Sequence, residues 1–369
     1  MKFQYNKNQL LGEINQIRKE IGHEEVDIKI KDIIHNENTN ELWIIGEDRP
    51  DKSAIIGKGG WVVGKLREKL NLNSIHVESY GDFLLKEYRS KLSLNRITKF
   101  IKELESNNKD EEENNEELLI PMKNLQSMLK NKIENIYSFN FKEHFNNNSY
   151  IEAETPQVIL ALSGGSDSSF SLILAKKLGF NPIAITVDPG TIVLPKQFKE
   201  NIDNLTNQLN VKQTYVSVDY SKIIKDAFDG RIHPCGKCSK VIENTVNEYA
   251  IKNNISLVIY GDMLATGSQC ITEQNINEDT LKEIELKKSK LYRLNLPASL
   301  CVEKIENKQL NSDYELKEIK GFGCPLLYET HKRFHHMKKY SIQRILRETR
   351  SGALEPGEAL DLIWSFYNA

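Results

Sequence analysis

The chain has 369 residues, 39% hydrophobic and 28% charged, with Lys+Arg 50 against Asp+Glu 52 and a net charge of −2. That length provides for two or three domains with a full core, and the balanced charge excludes a general polycation, so nucleic-acid binding is left to local patches. No apolar run approaches the ~20 residues of a membrane span, the first residues lack a signal peptide's apolar core, and five cysteines do not make a disulfide scaffold. A cytoplasmic protein without a membrane partner is expected.

Leu10, Leu11, Ile14 and Ile17 share one helical face and predict a helix over 7–21. Alternation predicts strands over 26–30 and 41–45, joined by a polar turn. Two short helices around 55–70 and a strand over 74–79 complete an α-β-β-α-α-β unit, and a trailing helix over about 83–104 takes the domain to residues 1–105. The stretch 107–117 has six acidic residues, one lysine and no apolar residue, and reads as a linker over 106–117. Leu125, Met128, Leu129, Ile133 and Ile136 predict a connecting helix, and the segment 118–150 ends in a polar run. Strands over 157–162, 182–187, 211–218 and 256–260 alternate with helices over 166–178, 195–209 and 239–253. That alternation predicts an α/β domain with a doubly wound parallel sheet over 151–300. A last strand near 291–296 and a helical tail, 301–369, follow.

The first of these strands runs into Ser163-Gly164-Gly165-Ser166-Asp167-Ser168-Ser169 and then an apolar helix. Two glycines permit a tight turn and close approach of a ligand to the backbone. Amides at the helix start and the serine hydroxyls make a polyphosphate cradle. No lysine follows the glycines, so this is not a Walker loop, and G-x-G-x-x-G is absent too. Cys235-Gly236-Lys237-Cys238 forms a C-x-x-C, and Cys324 sits much later, before Pro325. Three thiolates suit a 4Fe–4S cluster with one iron left open. A zinc site completed by His233, a redox disulfide, or unconnected thiols are the other readings.

Ser163 to Ser168 resembles the S-G-G-x-D-S motif of the PP-loop ATP pyrophosphatases, over about residues 155–300. The resemblance implies an adenine nucleotide alpha hydrolase-like fold that cleaves ATP between the α- and β-phosphates and adenylates a carbonyl oxygen. It implies ATP contacts from Ser163, Gly164, Gly165, Ser166, Asp167, Ser168 and Ser169, with Mg2+ near Asp167 and the adenosine near Asp188. Together with the C-x-x-C and the later Cys-Pro, the chain is similar to the iron–sulfur-dependent tRNA thiolases of the TtuA/NcsA group and archaeal ThiI type. That similarity implies a 4Fe–4S cluster on Cys235, Cys238 and Cys324, with Cys270 the rival third ligand and Cys301 a core residue. The family's Asp pair after strand 256–260 is replaced by Gly261-Asp262-Met263-Leu264-Ala265-Thr266-Gly267, which leaves Asp262 as the carboxylate candidate, and Lys240 as the basic one. Zinc-finger ends and a recognisable THUMP domain are absent.

In their place, Ile55 to Leu66 resembles the signature of a type II KH domain, with Gly57-Lys58-Gly59-Gly60 as its G-x-x-G. That loop lies tight on a nucleic-acid backbone, and Lys58 adds charge. The expectation is an ATP-dependent tRNA sulfurtransferase in which sulfur delivered by the cluster displaces AMP. Its partners would be tRNA or another structured RNA and a sulfide or persulfide donor; a homodimer is left open. The alternatives are a LarE-type small-molecule sulfur transferase and a non-enzymatic nucleotide- and RNA-binding regulator.

Overall fold

The computed structural model describes residues 5–37, 39–107, 116–155, 157–274, 290–317 and 321–367. Residues 108–115 of the expected acidic linker lie outside them. The chain forms two compact units, 1–88 with 135–139 and 89–134 with 140–369. The division falls inside the helix Tyr80–Asn107.

The first unit has the expected α-β-β-α-α-β order. Its opening helix, Lys7–Glu20, is fixed by a capping box between Asn6 and Gln9. Leu10, Ile14 and Ile17 pack with Leu42, Ile44, Ile55, Val62 and Leu66 in one core. Strands β1 (Ile30–Asn36) and β2 (Glu41–Gly46) pair antiparallel, and β3 (Ser74–Ser79) runs parallel to β2. The sequence placed the first strand at 26–30, four residues early. β2 ends at Gly46 opposite Ile30, and the Glu47 amide reaches Lys29 O at 3.0 Å, so residues 26–28 run past the end of their partner.

The second unit contains the expected α/β sheet and also takes in residues 89–134, 140–150 and the tail after 300, which the sequence reading set apart from the 151–300 domain. Its six strands are ordered β6-β5-β4-β7-β9-β8, where β4 is Val158–Ala161, β5 Pro182–Asp188, β6 Lys212–Ser217, β7 Leu257–Tyr260, β8 Ile271–Gln274 and β9 Leu291–Asn295. All neighbours are parallel except β8 with β9. The central strands are buried along almost their whole length, as helices cover both faces. The chain builds outward from β4 through β5 to β6, then returns to the other side of β4 for β7. The crevice at the carboxyl ends of β4 and β7 is therefore the topological switch point, where such sheets take ligands. Sequence alternation had missed β8 and the helix Ser221–Phe228.

Two further expectations need correction. The helix placed at 239–253 starts at Pro234, so Cys235 and Cys238 lie within its first five residues and not ahead of it. Proline's fixed φ and missing N–H suit the first helical position. Cys301, expected in the core, is only half-buried and adopts a left-handed φ of 49°. It follows the four-residue helix Leu296–Ser299, where the chain turns sharply out of the sheet.

Candidate active site at the carboxyl edge of the sheet

The strand β4 delivers Ser163–Ser169 to the switch point. Gly164 has φ +75°, and a Cβ there would stand 2.5 Å from the backbone oxygen of Phe198. Only glycine fits. Gly165 caps the helix Ser166–Lys177 with no side chain on its terminal amides. Ser168 Oγ knits the turn together: it donates to Gly165 O at 3.0 Å, receives the Ser163 amide at 3.2 Å and lies 3.0 Å from Ser163 Oγ. Ser169 is fully buried, and its hydroxyl has no hydrogen-bond partner. From the far side, Gly261 presses on the same turn; a Cβ there would meet the Ser168 amide at 2.8 Å.

Asp167 points at a separate helix, Lys304–Asn311. Lys304 Nζ donates to both carboxylate oxygens at 2.6 Å, and Asn307 Nδ2 reaches Oδ1 at 2.9 Å. Nothing in the sequence marked Lys304, because it sits in a short polar helix that reads as solvated surface. Asp188, at the end of β5, accepts from the Gly190 amide at 3.0 Å and pairs with Lys199 at 2.5 Å. Burial opposes its ionisation, but the hydrogen bonds from Lys199 and Gly190 outweigh that and hold its carboxyl below the ordinary range. Asp262 folds back on its own loop, accepting from the amides of Leu264 at 2.7 Å and Ala265 at 3.3 Å, with Arg293 3.7 Å away. Lys240 is exposed on the helix Pro234–Lys252.

Cys235, Cys238 and Cys324 share a neighbourhood. Burial pushes the Cys235 thiol up to about 11, and Cys324 adds to it while Arg344 opposes. Cys238 is pushed up to about 12 by burial and by the other two thiols. Cys324 is raised by burial, against the amides of Leu327 and Leu326. Cys324 opens the helix Pro325–Arg333, and the buried Tyr220 hydroxyl, 3.2 Å from Cys238 O, also lies near. The rival ligand Cys270 is elsewhere: fully buried, with Ser93, Arg96 and Cys301 around its sulfur. In type the three thiols suit an iron–sulfur group: Cys324 opposes the ionisation of both others, and backbone amides lie at its own sulfur. Among the described residues, however, no three His, Cys, Asp or Glu side chains form a ready-made metal site. Neutral thiols at ordinary pH mean that loading would release protons.

Behind the cysteines, Ser341 Oγ lies 3.1 Å from His331 Nε2 and 3.4 Å from His233 Nε2. Burial, then His233 and Lys338, lowers His331 to about 4. An unfolded chain binds that proton near 6.5, so stability from the neutral ring is complete above 6.5 and lost as pH falls towards 4. Melting temperature is expected to drop through that window, with a ceiling of about 3 kcal/mol, and His331→Gln should flatten the slope. An equal slope in both proteins would show that the ring does not carry it.

In the first unit, Gly57 has φ +72° and a Cβ there would stand 2.2 Å from the Val62 side chain, so the G-x-x-G turn needs its first glycine. Gly59 and Gly60 are also left-handed, Lys58 is exposed, and the helix Trp61–Leu70 follows with no side chain capping it.

No protein-family model matches the chain. It is 34% identical over 217 residues to the uncharacterized protein MJ1638 of Methanocaldococcus jannaschii, covering 58% of this chain and 75% of that one. It is 28% identical over 206 residues to the uncharacterized protein MJ1599 of the same organism, covering 54% and 70%. Among solved structures it is similar to the U34-tRNA thiolase NcsA from Methanococcus maripaludis, at 17% identity over 60% of this chain and 72% of that one, with a TM-score of 0.30. NMN synthetase from Francisella tularensis is 15% identical over 67% and 93%, with a TM-score of 0.35. NH3-dependent NAD synthetase from Campylobacter jejuni is 18% identical over 69% and 93%, with a TM-score of 0.30. By its identity to MJ1638 over three-quarters of that protein, the chain belongs to the MJ1638 family.

Proposed function

We propose that the chain is a PP-loop ATP pyrophosphatase that thiolates RNA, with tRNA as the substrate. The observation that carries this reading is a single short segment, residues 192–198, touching both halves of the required chemistry. Phe198, in the helix after β5, lies against Gly164 of the phosphate loop. Ile192, just before it, accepts the Leu326 amide at 2.9 Å, two residues past Cys324. The helix carrying Cys235 and Cys238 crosses from β6 to β7 and starts at the same carboxyl edge of the sheet. A nucleotide activated at the loop and a sulfur held at the thiols would then meet along one edge.

In this reading the amides of Gly165 to Ser168, ahead of the first intrahelical bond from Ser169 to Gly165 O, hold the pyrophosphate and stabilise charge that develops on it. Asp167 holds Mg2+, and Asp188 borders the adenosine. Asp262 and Lys240 are assigned to the substrate carbonyl. Cys235, Cys238 and Cys324 would hold a 4Fe–4S cluster, which supplies an open iron for the incoming sulfur. The first unit would present RNA through Gly57-Lys58-Gly59-Gly60.

Mass spectrometry of nucleosides from a deletion strain tests the whole. A missing thionucleoside is expected; an unchanged set overturns the RNA reading. The RNA contact has its own test. A Cβ on Gly59 has room beside the Trp61 ring at 3.4 Å, but φ there is +62°, which strains any side chain; aspartate is among the residues that tolerate that region, so Lys58→Asp with Gly59→Asp should fold at a cost of about 1–2 kcal/mol. That pair should weaken binding to the substrate RNA about tenfold or more, and wild-type affinity should fall with salt. Equal affinity by filter binding would make the turn a protein contact.

A further inference from the structure

The phosphate loop brings an acid to a polyanion. It supplies amides and hydroxyls but no cation, and Asp167 at its centre would repel a polyphosphate unless its charge were met. The structure meets it with Lys304, whose ammonium sits 2.6 Å from both carboxylate oxygens, in the two-pronged manner of a bound metal ion. The lysine is not sealed in: its side chain is 17% exposed and that of Asp167 is 28% exposed.

The helix that carries Lys304 is built to face this loop. Lys304, Asn307 and Asn311 fall at i, i+3 and i+7, one stripe of an eight-residue helix. Asn311 Nδ2 donates to Ser166 O at 2.9 Å and to Asn307 Oδ1 at 2.7 Å, while Asn311 Oδ1 is buried without a partner. A capping box between Glu303 and Glu306 fixes the helix start, and buried Lys132 pins Glu306 at 2.6 Å. The backbone is held, so the long Lys304 side chain is the part free to move.

We propose that Lys304 is the phosphate-binding lysine of this site, exchanging Asp167 for a phosphate oxygen when Mg2+ bound to ATP or pyrophosphate engages the carboxylate. The inference rests on the ATP reading above. The exchange is charge-balanced: the divalent ion replaces an ammonium on Asp167, and the ammonium meets an anionic oxygen a side-chain swing away. The cation that a Walker loop carries in its own sequence is here supplied by a helix 137 residues away.

The test is calorimetric titration of the full chain with pyrophosphate, with and without Mg2+. Wild type should bind the magnesium complex. Lys304→Gln should bind it about tenfold more weakly, yet reach half-saturation at lower Mg2+, since the competitor for Asp167 is gone. Asp167→Asn, which frees the lysine, should bind metal-free pyrophosphate tighter than wild type. Asp167→Asn with Lys304→Gln leaves no unpaired charge to disturb folding and should lose that gain. A lysine that only braced the fold would change melting temperature and none of these affinities. Binding by wild type together with no gain in Asp167→Asn, or no loss in the double variant, would overturn the role of Lys304 while leaving the ATP reading intact. No binding by wild type to either form of pyrophosphate or to Mg2+–ATP would overturn both.

Discussion

Gly165→Val is expected to cut pyrophosphate release about a hundredfold or more with little change in melting temperature. Gly165 has an ordinary φ of −82°, and a Cβ there meets only Ser163 Oγ, at 3.6 Å. The protein has room for the side chain; a phosphate drawn against the Gly165–Ser166 amides does not. Gly164 gives the opposite result. Its φ of +75° and the Phe198 oxygen 2.5 Å from the new Cβ make Gly164→Ala a folding defect, of about 2–4 kcal/mol from strain and overpacking. Pyrophosphate assays beside thermal melts separate the two. Undiminished AMP and pyrophosphate from Gly165→Val would remove the phosphate-loop assignment.

Protein purified without oxygen is expected to hold about four irons per chain, and Cys235→Ala, Cys238→Ala or Cys324→Ala should each lose the iron. Each takes one of three thiols that already oppose one another's ionisation, and no fourth cysteine stands beside them to substitute. Cys301→Ala and Cys270→Ala should keep the iron, because Cys270 faces Ser93, Arg96 and Cys301 in a different part of the unit. Cys270→Ala should cost some stability, since that side chain is fully buried. Pyrophosphate release should survive the three ligand substitutions, as the phosphate loop takes no side chain from the cysteine region. Metal analysis of the purified variants is the measurement that decides. Stoichiometric zinc without iron would overturn the cluster, and iron lost from Cys270→Ala but kept in Cys324→Ala would move the third ligand.

The sequence by itself determined the features whose causes are local. The α/β alternation, the strand β4 running into Ser163–Ser169, and the helix that follows are written in apolar periodicity and glycine placement. The α-β-β-α-α-β order and the Gly57–Gly60 turn were legible for the same reason. The starting point of β1 was not, because a strand exists only where its partner runs alongside, and β2 stops at Gly46. β8 was missed likewise: four residues carry too little alternation until β9 pairs with them.

Only the tertiary structure decided which distant groups meet. It brought Cys324 near enough to oppose the ionisation of Cys235 and Cys238, and put Cys270 among Ser93, Arg96 and Cys301. It also brought Lys304 onto Asp167 across 137 residues of chain. Lys304, Asn307 and Asn311 form a polar stripe, and a polar stripe reads as a water-facing surface. Here it faces the first turn of another helix, whose amides and carboxylate need polar partners as water does. A one-dimensional pattern records how polar a surface is; what that surface faces depends on packing between segments far apart in the chain.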